Sequence, residues 1–174
     1  YSQEIQKTIA GRATHLVWSL PGGVSKGITE EERKKILEMA KTNLEFAKFG
    51  LKLFDDVVLK NQAYVDLILS DAYQTVTNYM GLVDRNNKVN FYDGMIRVVD
   101  TAAKEILKFK PADYLQHINE HVEPWSYLKF PFLKKIGWKG FTSGVDSGVY
   151  QATPLSRLNA ADGMATPLSQ AEYE

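Results

Sequence analysis

One apolar stripe constrains this chain more than any other feature. Ile36, Ala40, Leu44, Ala47, Leu51, Phe54 and Val58 recur every three or four residues, the spacing that places one side chain per turn on a single helix face. A second row, Met39, Phe46, Phe49, Leu53 and Val57, widens the stripe and predicts a helix buried on more than one side. At ~1.5 Å per residue the helix, from about 30 to 60, runs roughly 45 Å. Its start is marked by a capping box: the Thr29 hydroxyl can accept from a free amide, and the Glu32 carboxylate can reach back to another. Glu30 and Glu31 add negative charge at the positive end of the helix dipole. Gly50 sits inside the stripe at a cost of ~1 kcal/mol relative to alanine. A close helix crossing or a mild bend would explain it.

The other elements are shorter. Residues 2–10 read as a helix with Ile5 and Ile9 one turn apart and Gly11 as its stop. A loop follows from Arg12 to Gly27, punctuated by Pro21-Gly22-Gly23. Tyr64–Leu69 reads as a short helical run. Tyr79–Val83 and Val89–Val99, rich in β-branched and aromatic residues, flank the turn-forming Asp84-Arg85-Asn86-Asn87-Lys88 and predict an antiparallel hairpin, with Asp93-Gly94 a bulge or second turn. Ala102–Leu107 reads as a short helix, and Pro111 opens another through about Val122. Trp125–Phe141 reads as strand and loop, Tyr150–Ala165 as loop, and Thr166-Pro167 as the start of a final helix. The expected fold is α+β and helix-dominated, with one long buried helix (about 30–60) and a small antiparallel β hairpin or meander. No boundary divides it, so residues 1–174 are expected to form a single domain.

Composition narrows the function. A hydrophobic content of 44% with 24% charged residues is that of a folded chain. Basic and acidic side chains balance at 21 each, without the cationic excess that displaces counterions from nucleic acid. No apolar run approaches the ~20 residues that cross a bilayer. The absence of cysteine excludes disulfides and thiolate-rich metal sites. A start without methionine and an end in a helix-like phrase suggest an excised fragment.

Four groups of residues could carry chemistry. His117-Ile118-Asn119-Glu120-His121 matches H-x-x-E-H, in which two histidines on one helix face chelate zinc and the glutamate serves as base. No third ligand is in sight, and a solvated helix face is the plainer reading. Trp125 to Lys139 interleaves aromatic and basic residues, which suits a half-buried strand first and a partner surface second. Gly11-Arg12-Ala13-Thr14-His15 puts an arginine and a histidine on a Gly-rich loop. Anion binding, proton movement or a cofactor hydrogen bond are open to it, as is a structural loop. Asp55 and Asp56, adjacent on a helix, point about 100° apart and read as surface charges.

Several of these stretches, in order, carry a resemblance. Gly11-Arg12-Ala13-Thr14-His15 with Pro21-Gly22-Gly23 is similar to the G-R-x-x-H-P motif and Gly-Gly turn of nickel–iron hydrogenase large subunits, with Leu16 where many members have proline. Phe91-Tyr92-Asp93-Gly94, Trp125 to Pro131, Gly148 to Asn159 and Asp162 to Leu168 resemble the middle of the cytoplasmic branch of that family, which includes viologen- and deazaflavin-reducing enzymes. The resemblance implies a parent that oxidises dihydrogen reversibly at a nickel–iron centre with carbonyl and cyanide ligands. That parent passes electrons to iron–sulfur clusters of a small subunit. The four cysteines that hold the centre in the family have no counterpart here. The expectation is therefore a central, catalytically inactive scaffold segment of a large subunit, binding no cofactor or metal itself. Its partners would be the small subunit, together with the remainder of the large subunit, in the cytoplasm, with no nucleic acid. The resemblance places Arg12 and His15 on a loop facing the small subunit with its cluster. A non-catalytic interaction protein retaining the fold and a zinc hydrolase using His117, Glu120 and His121 are the alternatives.

Overall fold

The computed structural model describes residues 1–174, the side chain of Tyr73 excepted. The chain, which reads as one domain in sequence, divides into two compact units, residues 1–66 and 67–174. Each is described by itself.

The first unit is helical. α1 (Ser2–Ala10) ends where Gly11 adopts a left-handed φ of 75° and its amide bonds the Lys7 carbonyl. The loop that follows contains a two-residue ribbon, β1 (Ser19–Leu20) against β2 (Gly23–Val24). α2 (Glu30–Phe54) begins with the expected capping box: the Thr29 hydroxyl accepts from the Glu32 amide, and the Glu32 carboxylate accepts from the Thr29 amide at 2.9 Å. It continues without a break into a π-helical turn over Asp55–Leu59. There Lys52 and Lys60 both bond Asp56, Lys52 foremost, and hold its carboxyl down at about 2. Glu30–Arg33, Glu38–Lys41 and Glu45–Lys48 pairs mark the polar side of α2. Each stabilises the exposed helix by only a few tenths of a kcal/mol. The long helix is where the sequence places it, but its own unit buries only Met39 of α2. α3 (Gln62–Leu69) follows and crosses the boundary between the units.

The second unit is built on four strands: β3 (Asn78–Val83), β4 (Met95–Val99), β5 (Glu105–Phe109) and β8 (Tyr150–Gln151), in the order β5-β4-β3-β8. Between β5 and β8 lie the single-turn α4 (Tyr114–His117) and a separate antiparallel pair, β6 (Ile118–Val122) with β7 (Lys129–Leu133). α5 (Pro154–Asn159) and α6 (Pro167–Tyr173) close the chain.

The predicted hairpin is β3–β4, in register from Tyr79↔Val99 to Val83↔Met95. Its turn is set by the Asp84 carboxylate, which accepts from the amides of Asn86 and Lys88 at 2.8 Å. Three other expectations are corrected. Ala102–Leu107 is not a helix: Asp100 caps a turn by accepting from Ala102 and Lys104, Ala103 takes φ 60°, and the chain enters β5. The open edge of β4 outweighs the modest helix propensity of this stretch. Pro111 starts only a 3-10 turn and α4 stops at His117, because β-branched Ile118 and Val122 pair with β7. The stretch from Tyr150 is not loop alone but β8 and α5, the latter capped by Thr153 and Ser156.

β3 is buried on both faces. Met80 packs with Val98, Phe109 and Leu133 on one side, and Val83 packs with Val89 and Ala161 on the other. Burying each such side chain fully is worth about 1.5–3 kcal/mol. α5 approaches β3 so closely that a Cβ on Gly81 would lie 2.9 Å from the Arg157 Cα. On the same face Arg97, 7% exposed, bonds Asp162 at 2.7 Å, the Ala160 carbonyl at 3.1 Å and Glu105 at 3.0 Å. One guanidinium thus ties the segment after α5 to the sheet. The Arg97 bond, with one from Asn87, holds the Asp162 carboxyl below the usual carboxylate range.

Two outcomes follow. Gly94→Ala would place a methyl 2.2 Å from the Val83 carbonyl oxygen. Urea unfolding is expected to show a loss of about 1–3 kcal/mol or more. Asp162→Asn leaves Arg97 short of an anion and is expected to cost roughly 1–3 kcal/mol at neutral pH. Because folding lowers the Asp162 pKa, its contribution is complete above the unfolded value of about 3.9 and is lost as pH falls through the lower folded value. The difference between wild type and variant should therefore close in strong acid.

Candidate interaction surfaces

The H-x-x-E-H residues do not form a metal site. His117 ends α4, whereas Glu120 and His121 lie in β6, where neighbours point to opposite faces. The His117 ring stacks on Phe109 at 4.2 Å, Glu120 pairs with Lys129, and His121 stacks on Trp138 at 4.3 Å while its Nε2 meets Glu123 at 2.7 Å. The zinc-hydrolase reading assumed one helix, and strand pairing removed it. Among the described residues no three His, Cys, Asp or Glu side chains gather as metal ligands.

The aromatic and basic stretch is a strand and a cluster, as its first reading has it. Phe130 on β7 meets Phe141 edge-on at 4.7 Å, and Phe141 meets Trp138 edge-on at 5.1 Å. Lys134 and Lys135 donate to the carbonyls of Leu115 and Ile106. Trp125 joins the cluster at 5.9 Å from both Phe130 and Phe141 yet stays 68% exposed, and Tyr127 is 96% exposed.

In the first unit, Arg12 and His15 both lie exposed on the loop between α1 and β1. His15 takes a left-handed φ of 51°, uncommon without glycine. A larger feature stands beside this loop in sequence, and its exposure could not be read from the residues. Along α2 and its π turn, Leu44, Phe46, Phe49, Leu53, Phe54 and Val57 are all exposed, Phe46 by 67% and Phe49 by 60%. Thr42, Glu45, Phe46 and Phe49 line a shallow hollow on it. Gly50 meets no atom within 4 Å that a Cβ would touch. A helix apolar on two sides and bare on both has the surface of an interface.

No protein-family model matches the chain. It is similar to an F420-non-reducing hydrogenase iron-sulfur subunit of Archaeoglobus profundus, 44% identical over 171 residues, covering 98% of this chain and 35% of that protein. It is 38% identical to an F420-non-reducing hydrogenase vhu subunit of Methanocaldococcus jannaschii, over 99% of this chain and 38% of that protein. The beta subunit of the NAD-reducing hydrogenase HoxS of Cupriavidus necator is 33% identical over all of this chain and 35% of its own length. A crystal structure of an NAD+-reducing [NiFe]-hydrogenase in the H2-reduced state superposes with a TM-score of 0.73 at 26% identity, over 98% of this chain and 36% of that one. Its relatives are hydrogenase subunits. The chain spans about a third of their length.

These relatives correct the expectation of a nickel–iron large subunit, with its central-scaffold role and its nickel–iron centre with carbonyl and cyanide. The 44% relative is described as an iron–sulfur subunit, and the HoxS relative as a beta subunit. The physical reason is that the stretches carrying the resemblance are loops, strands and caps. They register a shared backbone but contain no ligand residue that would select one metal group over another. Iron–sulfur clusters are held by four thiolates, or by two thiolates and two histidines. This chain has no cysteine, and His117 and His121 are each stacked on an aromatic ring. Its residues do not fit such a cluster. Anaerobic incubation with ferrous iron and sulfide, then desalting, should leave no visible iron–sulfide absorption. A retained cluster would reveal ligation by groups other than thiolate.

Proposed function

We propose that this chain is an assembly region of a hydrogenase subunit of the same kind as these relatives, an oxidoreductase component whose redox centre is held by residues other than these. The observation that carries the reading is the bare double stripe of α2. Six large apolar side chains exposed along one helix and its π turn are costly in water and are stabilising against a protein surface. The likeness to hydrogenase subunits supplies the context, and another hydrogenase polypeptide is the proposed cover. The loop with Arg12 and His15 is assigned to the same partner-facing side of its unit, supported by its exposure and by the G-R-x-x-H resemblance. A cytoplasmic setting is part of the proposal. No helix among the described residues is long and apolar enough to cross a membrane.

The test is assembly. Phe46→Glu with Phe49→Glu, in the full hydrogenase subunit, is expected to abolish co-purification with the other subunits and hydrogen-dependent dye reduction. The helix content of the isolated chain should be unchanged, since neither side chain is covered in it. Retained assembly in the double variant would end the proposal.

A further inference from the structure

The second unit contains a cleft that the preceding reading does not use. It is an open recess of about 210 Å³ lined by Met80 and Leu82 of β3, Ile96 of β4, Phe91 of their connection and Arg157 of α5. The Arg157 guanidinium lies over the Phe91 ring, 4.6 Å from its centre. The ion pairs of this unit engage Arg97, His121 and Lys129. Among the described residues Arg157 joins none of them. The other polar side chains at the cleft are already engaged. Asn90 donates to Asp93 and accepts from the Tyr92 amide, and Thr153 caps α5. The half-buried guanidinium, with five donors and no ion-pair partner among the described residues, is therefore the charged group left for a ligand at this recess.

The cleft is rigid. Gly94 is held against the Val83 carbonyl, the Asn90 turn fixes the loop, and Gly81 lets α5 sit directly on β3. That loop holds Phe91 75% exposed beneath the arginine, and Tyr92, next in sequence, 92% exposed. Exposed aromatics flanking an arginine form the side-chain set that carries binding energy at protein interfaces. The volume is below the roughly 300–1,000 Å³ of small-molecule and cofactor sites, and suits a single side chain.

We propose that this cleft receives one carboxylate side chain, glutamate or aspartate, from an extended segment of a partner polypeptide. The carboxylate pairs with Arg157 while Phe91 and Tyr92 cover the segment's neighbouring aliphatic residues. Charge complementarity selects this occupant. Arginine binds carboxylate in a bidentate fork, and the Phe91 ring under the guanidinium holds it in place for that fork. The inference concerns a different surface from α2 and stands whether or not that surface is an assembly face.

Amide chemical-shift mapping on the whole chain tests it, with the capped pentapeptide acetyl-Gly-Leu-Glu-Leu-Gly-amide and its Gln analogue as probes. The Glu peptide at millimolar concentration is expected to shift the amides of Gly81, Phe91, Thr153 and Arg157 saturably. The Gln peptide, and Arg157→Gln with the Glu peptide, should bind about tenfold more weakly or worse. Arg157→Lys should recover part of the loss, which separates lost charge from a disturbed fold. Equal binding of the Glu and Gln peptides, absence of shifts at these residues, or shifts centred elsewhere would overturn the proposal. Butyrate binding as tightly as the peptide would also overturn it, by assigning the cleft to free carboxylates.

Discussion

β3 buries side chains on both faces, and the second unit is arranged by what those faces require. One face needs a cover for Met80, and Leu133, Phe109 and Val98 supply it. The other needs a close neighbour over Gly81, and α5 supplies it with the Arg97 bonds behind it. A two-sided strand cannot stand at a sheet edge. β4 and β8 flank it, and β4 in turn takes β5 from a stretch with modest helix propensity. Burial of one strand thus propagates into sheet order and into the placement of the cleft beside Arg157.

The first unit poses the opposite case. α2 has the apolar pattern of a core helix and almost none of the cover. The same physics that closes the second unit is the ground for proposing a partner at this surface. Its polar side is well provided, with capping box, acid-first dipole match and exposed ion pairs. The helix is locally secure, and its apolar faces are free to take part in assembly. That division, a self-stabilised helix presenting an uncovered stripe, is what connects the sequence pattern to the assembly role proposed for it.

Signals made of neighbouring residues were legible in the sequence. Thr29 and Glu32, three apart, set the start of α2. Gly11 set the end of α1, and Asp84 with the asparagines after it set the β3–β4 turn. Each is completed within a few bonds of chain. Stretches whose state depends on distant partners read wrongly. Ala102–Leu107 lost its helix to the open edge of β4, and His121 lost its helical relation to His117 because β7 pairs with its backbone. The same limit applied to chemistry. The resemblance identified hydrogenase context, but with no thiolate in these residues nothing local could assign a metal group, and the similarity to a protein described as an iron–sulfur subunit overturned the nickel–iron expectation.

By itself the sequence determined the α+β class, the long capped helix, the central hairpin and the exclusion of thiolate ligation, because propensity, capping and donor chemistry are properties of residues and near neighbours. Only tertiary structure decided that α2 is uncovered, that two histidines four apart face different aromatic rings, and that Arg157 meets Phe91 over an apolar recess. Burial and approach depend on which remote surfaces arrive at a residue, and no spacing along the chain encodes that arrival.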